Sequence, residues 1–268
     1  MPRQNVMADQ SNYLVRFSAE RKDNSRALVC IPQGGSGANA FRSWGQALRD
    51  VATVRAVCLP GREHRLTETP LGSIGAMAEA LLRPVLELPA DELILFGHCS
   101  GALIAYELAH LLAAEGDRSG LADRPRSVRL VVSSQLSPMA TALVNAGGAV
   151  GNAYSVPDLV RRLRELGGTP PEVLDSAEFM ELLAPMIRAD FQASDGYRWP
   201  EGREPFGLPV VALGGESDSL ITSTELMAWR DVTTGRFDVH LFAAGHFYLY
   251  EQEELVLGYL RELCLESA

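Results

Sequence analysis

One short segment combines a reactive thiol with the small neighbours that a sharp turn requires. Cys99 is the middle residue of Gly97–Gly101, which follows the apolar run Leu93–Phe96 and precedes a helical pattern. A strand-to-helix turn that exposes a nucleophile needs small residues two positions before and after it. Cys99 has glycine at both positions, whereas Ser100 at the apex would place His98 in one of them. The spacing predicts Cys99 as the nucleophile, at a helix N-terminus that favours its thiolate.

A cysteine nucleophile needs a base, and the base needs a carboxylate that orients it. Among the five histidines, only His246 follows the last predicted strand, where the base belongs in the chain order nucleophile, acid, base. The loop after Val210–Leu213 offers two carboxylates, Glu216 and Asp218. The shorter side chain suits the loop tip, so we predict the triad Cys99, Asp218 and His246, with Glu216 in support or solvated. Two carboxylates without further ligands do not make a metal site, and we expect none.

Acyl transfer also needs two backbone N–H groups for the negatively charged oxygen of the intermediate. Ser100 follows the nucleophile directly and is the first predicted donor. The second lies in the glycine-rich loop after Ile31, where we favour Gly34 and keep Gln33 as the alternative. This loop lacks the third glycine of a dinucleotide-binding fingerprint, because position 40 is Ala40, and nucleotide binding is not expected.

The residues around these motifs alternate between short apolar runs and amphipathic stretches, which is typical of parallel α/β sheets. The predicted strands are Ala27–Ile31, Val54–Leu59, Leu93–Phe96, Val128–Val132, Val210–Leu213 and Val239–Phe242. Helical patterns lie near Phe41–Arg49, Ile74–Leu86, Ala102–Leu112, Leu226–Arg230 and Glu253–Leu263. Tyr13–Phe17 alternates like an edge strand. The predicted fold class is α/β, with an α/β-hydrolase architecture: a mostly parallel sheet, helices on both faces and a helical lid insertion.

Residues 138–205 interrupt this alternation. They contain the helical patterns Val156–Leu166 and Phe179–Phe191 and no convincing strand. Long insertions at the carboxyl edge of a sheet are typically lids or binding elements. We therefore assign residues 1–137 and 206–268 to the hydrolase core and 138–205 to a helical lid. The candidate substrate-binding side chains are Met139, Leu143, Phe179, Met186, Phe191 and Phe247.

Composition excludes several classes of protein. The chain has 268 residues, 47% of them apolar, which is enough to bury the core of one large α/β domain. Its 24 basic and 34 acidic residues give a net charge of −10, with no basic excess for nucleic acid. No apolar stretch reaches the ~18 residues of a membrane span, and the first residues show no secretory signal. Four cysteines without CxxC spacing predict neither a disulfide framework nor a zinc site. We expect a reduced, cytoplasmic protein of unknown oligomeric state.

With these residues assembled, the chain resembles the type II thioesterases of polyketide and nonribosomal peptide synthesis, from about Leu28 to Leu260. The matching segments are Leu28–Gly35, Leu59–Glu63, Phe96–Ala109, Leu166–Pro170, Ile187–Phe191 and Gly245–Leu249. The resemblance implies the same triad, a lid over an acyl pocket, and no cofactor belonging to the enzyme. It implies an acyl or aminoacyl substrate on the phosphopantetheine thiol of an acyl or peptidyl carrier protein. Candidates for a basic docking patch are Arg161, Arg162 and Arg164.

Two positions depart from the family pattern. Gln33 stands where the family usually has histidine, and Cys99 stands where it usually has serine. Serine converts a thioester into a more stable oxoester that water then cleaves, whereas cysteine exchanges one thioester for another of similar energy. Hydrolysis is therefore the leading hypothesis, and acyl or aminoacyl transfer to a second carrier protein is the alternative. A non-catalytic carrier-binding module is the runner-up of another class, and a cysteine substituted for serine to trap an acyl-enzyme also fits the sequence.

Overall fold

The described strands form one sheet in which most neighbours run parallel. The computed structural model describes residues 13–17, 26–118, 127–147, 154–200 and 202–266. The strands are β1 (Leu14–Val15), β2 (Arg26–Ile31), β3 (Thr53–Val57), β4 (Glu92–His98), β5 (Ser127–Ser133), β6 (Val210–Gly215) and β7 (Phe237–Phe242). Their order is β1-β3-β2-β4-β5-β6-β7, and only the edge pair β1–β3 is antiparallel among them. The predicted α/β class is confirmed.

Helices connect these strands along the chain. They are α1 (Arg42–Ala47), α2 (Ile74–Leu86), α3 (Ser100–Arg118), α4 (Pro138–Gly147), α5 (Val156–Leu166), α6 (Pro171–Leu174), α7 (Ala177–Asp195), α8 (Ser223–Met227), α9 (Tyr248–Glu251) and α10 (Glu253–Leu265). The pattern Leu226–Arg230 predicted one helix, but α8 ends at Met227 and a 3₁₀ segment, Ala228–Val232, continues it. In the described part of the chain, no helix has the length and apolar character needed to cross a membrane.

The central strand explains why its sequence is apolar without alternation. All seven residues of β4 are buried, because helices cover both faces of the sheet. Leu93 and Leu95 pack into a core shared with α2 and α3, whereas Ile94 and Phe96 pack into a second core on the opposite face. The ring of Phe96 lies edge-on to Trp44 of α1, with 5.0 Å between centroids. This double coverage fixes the end of β4, from which the Gly97–Gly101 turn projects.

Helices α4–α7 lie between β5 and β6 and have a hydrophobic cluster of their own, which includes Leu159, Met180 and Ile187. Ser155 and Asp158 form a capping box that begins α5. The helix ends at Gly167–Gly168, where both residues have positive φ angles. A Cβ at Gly168 would lie 2.5 Å from the Phe247 ring, so this turn packs directly on the loop after β7. The predicted insertion also includes residues 148–153 and 201, which lie outside the described residues.

Candidate active site

Cys99 occupies the apex of the turn between β4 and α3. Its φ angle is +50°, in the left-handed region that non-glycine residues rarely adopt. A Cβ at Gly97 would lie 2.3 Å from the Gly101 carbonyl oxygen, and one at Gly101 would lie 2.4 Å from that of Ile31. Both flanking glycines are therefore required sterically, as the sequence argument expects. The Cys99 amide donates to the Ser133 carbonyl of the neighbouring strand at 2.8 Å, which holds the turn in place.

An imidazole and a carboxylate lie side by side at the same edge of the sheet. Asp218 follows β6, His246 follows β7, and His246 Nδ1 is 2.9 Å from Asp218 Oδ2. The second carboxylate oxygen accepts the amides of Leu220 and Ile221, at 2.9 and 3.1 Å. Both members of the pair are buried, whereas Glu216 is exposed. The structure thus pairs His246 with Asp218 and leaves Glu216 in solvent.

Two opposing effects act on His246. Burial lowers the pKa of its imidazole, but the hydrogen bond with Asp218 and the nearby Cys99 sulfur outweigh burial and raise the pKa to about 9. Its Nε2 is shielded from solvent and makes no hydrogen bond of normal geometry within the described residues. The Cys99 thiol is therefore close enough to interact with the ring without being aligned for a formed hydrogen bond. Burial likewise opposes, but does not prevent, a lowered pKa for Asp218, because His246 stabilises the carboxylate.

The glycine-rich loop after β2 lines the same cavity as Cys99 and is held by two side chains. The Gly34 amide donates to Ser100 Oγ at 2.9 Å, and the Gly35 amide donates to Asp190 Oδ2 at 2.7 Å. In this arrangement the Gly34 N–H is occupied, so it is not the free oxyanion donor that the sequence argument favoured. Such a side-chain contact depends on the rotamer of Ser100 and leaves no pattern in the sequence.

A buried ion pair between Arg62 and Asp190 also holds the loop after β2 in place. Arg62 donates two hydrogen bonds to Asp190, at 3.0 and 2.8 Å, and each residue is 4% exposed. Arg62 also donates to the Ser36 carbonyl at 2.7 Å. The pair therefore connects α7, the loop after β2 and the loop after β3. Paired, bidentate geometry is what a buried charge requires in order to be tolerated.

A cavity of about 600 Å³ opens onto Cys99 and His246. Its walls come from the loop after β2, from α5 to α7, and from the loops after β6 and β7. Most of the lining is apolar, with a few polar groups near the thiol, including Gln33, Ser134 and Gln135. A pocket of this kind suits an apolar ligand that reaches Cys99.

Comparison with known proteins decides the family. The model of the thioesterase domain family matches residues 26–264, which is most of the chain. The chain belongs to the thioesterase family. It is 34% identical over 238 residues to the gramicidin S biosynthesis protein GrsT of Aneurinibacillus migulanus, covering 87% of this chain and 86% of GrsT.

Solved structures agree with this assignment. The type II thioesterase BorB from the borrelidin biosynthetic cluster has 31% identity and a TM-score of 0.78, covering 97% of this chain and 100% of BorB. RedJ, a thioesterase from the prodiginine pathway of Streptomyces coelicolor, has 32% identity and a TM-score of 0.75, covering 91% of this chain and 88% of RedJ. The predicted resemblance to type II thioesterases of polyketide and nonribosomal peptide pathways is confirmed.

The thioesterase does not place all of the predicted acyl-binding residues in the cavity. Phe191 and Phe247 line it. Met139, Leu143 and Phe179 are 42, 71 and 55% exposed, and none of them lines this cavity. Met186 is buried in the hydrophobic cluster of the inserted helices and does not line the cavity either. Met139 and Leu143 lie on α4, which has only 10 residues and therefore gives little periodicity. Phe179 and Met186 lie on α7, but not on the face that lines the cavity.

The residues that do line the apolar wall were missed by the sequence argument. They are Val144, Leu163, Leu166, Val173, Met180, Leu183 and Ile187. Four positions of α7 recur at helical spacing, namely Met180, Leu183, Ile187 and Phe191, and form one continuous face of the helix. That periodicity was the available signal.

Arg162 of the thioesterase is a cavity residue rather than part of a docking patch. Its guanidinium donates to both carboxylate oxygens of Asp195, at 2.9 and 2.8 Å, and lies 4.4 Å over the Phe191 ring. The hydrogen bond to Asp195 raises the pKa of Arg162, and the nearby Cys99 raises it further, against the effect of burial. The flanking arginines are also paired: Arg161 with Asp158 and Arg164 with Asp175. These three side chains therefore carry little uncompensated positive charge.

His98 is a second histidine of the site that the sequence argument set aside. Its ring is fully buried, lies 5.3 Å from the His246 ring and has Nδ1 2.8 Å from Ser133 Oγ. Ser133 Oγ in turn lies 2.6 Å from the Tyr248 hydroxyl. Burial, together with the charge of His246, holds the pKa of His98 well below its usual range. His98 is thus a neutral ring packed behind the His246 imidazole.

Proposed function

We propose that this thioesterase takes acyl or aminoacyl groups from the phosphopantetheine thioesters of carrier proteins onto Cys99 and releases them by hydrolysis. The observation that carries the proposal is the thiol at φ +50°, beside the Asp218–His246 pair, at the opening of an apolar cavity. Residues 138–205 act as the lid over that cavity, on a core formed by residues 1–137 and 206–268. The only prosthetic group involved is the phosphopantetheine of the partner carrier protein.

The steps follow from the positions of the side chains. The thiol proton is held on His246 Nε2, whose raised pKa favours the imidazolium, and Cys99 Sγ bonds to the thioester carbonyl carbon while the carbonyl electron pair moves onto oxygen. The intermediate then reforms the carbonyl and expels the phosphopantetheine sulfur, which receives the proton from His246. A water molecule attacks the acyl-Cys99 and gives one proton to His246, the Cys99 sulfur departs, and the free acid leaves the site in its starting state. Asp218 holds the imidazole in the required orientation throughout.

The oxyanion donors differ in part from the sequence expectation. Ser100 N–H, at the start of α3, is the first donor. Because Ser100 Oγ occupies the Gly34 amide, we assign the second role to the Gln33 N–H. The Gln33 side chain is held by the Tyr250 hydroxyl at 2.9 Å, which connects this loop to the segment just after His246.

Transfer to a second carrier protein is the second candidate function, and the identity of the nucleophile favours it. An acyl-Cys99 is itself a thioester, so a carrier thiol that enters the site can attack its carbonyl and regenerate the Cys99 thiol. Bond types on the two sides of this exchange are the same, and the step is therefore reversible. Hydrolysis and transfer share every residue of the site and differ only in the acceptor.

Two arms test the proposal. In the first, acyl-carrier protein is incubated with the wild type, with Cys99→Ala and with Ser100→Ala, and the release of free acid is followed. The assignment of Cys99 as the nucleophile is supported if Cys99→Ala stops releasing free acid while Ser100→Ala keeps all or most of its activity. Ser100→Ala should remain active because Ser100 contributes its backbone N–H, which the substitution retains. Full activity of Cys99→Ala contradicts it. No release and no acyl-enzyme in the wild type favours the non-catalytic carrier-binding module.

In the second arm, an empty second carrier protein is added to the same reaction. Accumulation of free acid at an unchanged rate supports hydrolysis. Appearance of the acyl group on the second carrier ahead of free acid supports transfer and overturns hydrolysis as the main reaction.

A further inference from the structure

The inserted helices carry a second concave surface behind the acyl pocket. This outer groove has a volume of about 500 Å³ and lies between α5, α6 and α7. It is lined by Val156, Pro157, Val160, Arg161, Arg164, Glu165, Leu174, Asp175, Ala177 and Met180. Within the described part of the chain, Met180 is the one residue that lines both the groove and the acyl pocket. Its side chain is 1% exposed, so it fills the boundary between the two spaces.

Met180 lies far from the thiol along the pocket wall. At the other end of α7, Asp190 binds the Gly35 amide, and Phe191 lies close to Gly34 above the nucleophile. Ten residues separate Asp190 from Met180, which corresponds to ~15 Å at the rise of an α-helix. Leu183 and Ile187 line the pocket between these two points. An acyl chain that extends from Cys99 along this face of α7 therefore meets Met180 last.

The chemistry of the boundary suits the end of an apolar chain. Met180 packs in the cluster that includes Leu163 and Leu174, residues of the pocket and groove sides respectively. The two arginines at the groove are already paired, Arg161 with Asp158 and Arg164 with Asp175. Methionine is unbranched and adaptable, and truncating it to alanine removes the three heavy atoms beyond Cβ. The space left behind would join the pocket to the groove.

We propose that Met180 closes the far end of the acyl pocket and determines the longest acyl chain that the thioesterase accepts. The proposal rests on the proposed function, because it identifies the cavity as the acyl pocket. A smaller residue at position 180 opens the pocket into the outer groove and admits longer chains, whereas a larger one shortens the pocket. The substrate class is an apolar acyl chain of limited length.

The kinetic test uses a series of straight-chain acyl thioesters of N-acetylcysteamine, from acetyl to dodecanoyl. The wild type is compared with Met180→Ala, Met180→Phe and the matched control Leu182→Ala, whose side chain on the same helix is 53% exposed. In Met180→Ala, each further methylene of a long chain that the enlarged pocket buries should raise kcat/KM for that chain, relative to kcat/KM for a short chain, about four-fold. We expect the preferred length to increase in Met180→Ala, to decrease in Met180→Phe and to stay unchanged in Leu182→Ala. An unchanged preferred length in both Met180 variants, with folding verified by circular dichroism, overturns the proposal.

A binding test keeps the proposal independent of turnover. Affinities of the corresponding straight-chain carboxylic acids are measured by calorimetry on the same four proteins. The affinity of the wild type is expected to stop increasing at one chain length, and Met180→Ala is expected to move that limit to longer chains. Identical limits in the wild type and Met180→Ala contradict the role of Met180. If the acids bind with this pattern but no thioester is cleaved, the proposed function fails while the inference on Met180 holds.

Discussion

The hydrogen bond between His246 and Asp218 makes the stability of the protein depend on pH in a defined window. The pKa of His246 is about 9 in the folded protein, against 6.5 for an ordinary histidine. Below pH 6.5 the imidazole is protonated in both the folded and the unfolded chain. Between pH 6.5 and 9 only the folded protein retains the proton, so unfolding releases it and stability falls as pH rises. Above pH 9 the stabilising contribution is lost.

The size of this effect follows from the two pKa values. The difference between about 9 and 6.5 corresponds to a decrease of about 3 kcal/mol in the free energy of unfolding. Asp218→Asn removes the carboxylate charge that favours the imidazolium, so burial, the largest effect on the ring, is then opposed only by Cys99 and the pKa of His246 falls. We expect the decrease across this window to shrink to less than ~1 kcal/mol in Asp218→Asn. Glu216→Gln removes an exposed carboxylate from the same loop and should leave the decrease intact.

Urea unfolding of the three proteins at pH 6.5 and pH 9 measures these differences, and NMR titration of the His246 ring reports its pKa directly. His246→Gln serves as a further control, because it removes the titrating group. The reasoning is refuted if Asp218→Asn and the wild type lose the same stability across the window. It is also refuted if the wild type becomes more stable between these pH values relative to His246→Gln.

The other predictions concern the loop over the nucleophile, the turn and the thiol. Asp190→Asn leaves Arg62 buried without its countercharge, so the free energy of unfolding in urea should fall by about 3–5 kcal/mol. Activity should also fall, because the loop after β2 is released; a decrease in stability below ~1 kcal/mol would contradict this. Gly101→Ala places a Cβ 2.4 Å from the Ile31 carbonyl oxygen, so we expect impaired folding, seen as a lower melting temperature, or a displaced Cys99, seen as loss of its alkylation. A normal melting temperature together with normal alkylation would refute the steric argument. Arg162→Met removes the guanidinium near Cys99, so iodoacetamide should alkylate Cys99 a few-fold more slowly than in the wild type. Arg162→Lys should have an intermediate alkylation rate, and an unchanged rate in Arg162→Met would contradict the prediction.

The sequence predicts those parts of the site that follow from local sterics and chain order. The apex position of Cys99 follows from the glycines on either side of it, because no other register avoids a collision with the backbone. Asp218 and His246 follow from the rule that the carboxyl ends of parallel strands meet at one edge of the sheet. The bonded pair at 2.9 Å agrees with that expectation.

The parts that were missed depend on side-chain contacts between distant segments. Ser100 Oγ occupies the Gly34 amide, and Asp190 reaches Gly35 from a helix far along the chain. Neither contact has a signature in composition or spacing. Leu143 was predicted to line the pocket because it is apolar, but its side chain is 71% exposed. On a short helix the sequence pattern does not distinguish the buried face from the exposed one. On α7 the longer periodicity does identify the pocket face.

Mass spectrometry can show which residue of the thioesterase carries the acyl group during turnover. The protein is incubated with an acyl-carrier protein, quenched in acid, and analysed by intact mass spectrometry and peptide mapping. We expect the mass of the wild type to increase by one acyl group, and we expect the peptide that contains Cys99 to carry that group. The mass of Cys99→Ala should not increase. An acyl group found on any other residue of the wild type, or retained by Cys99→Ala, would contradict the account.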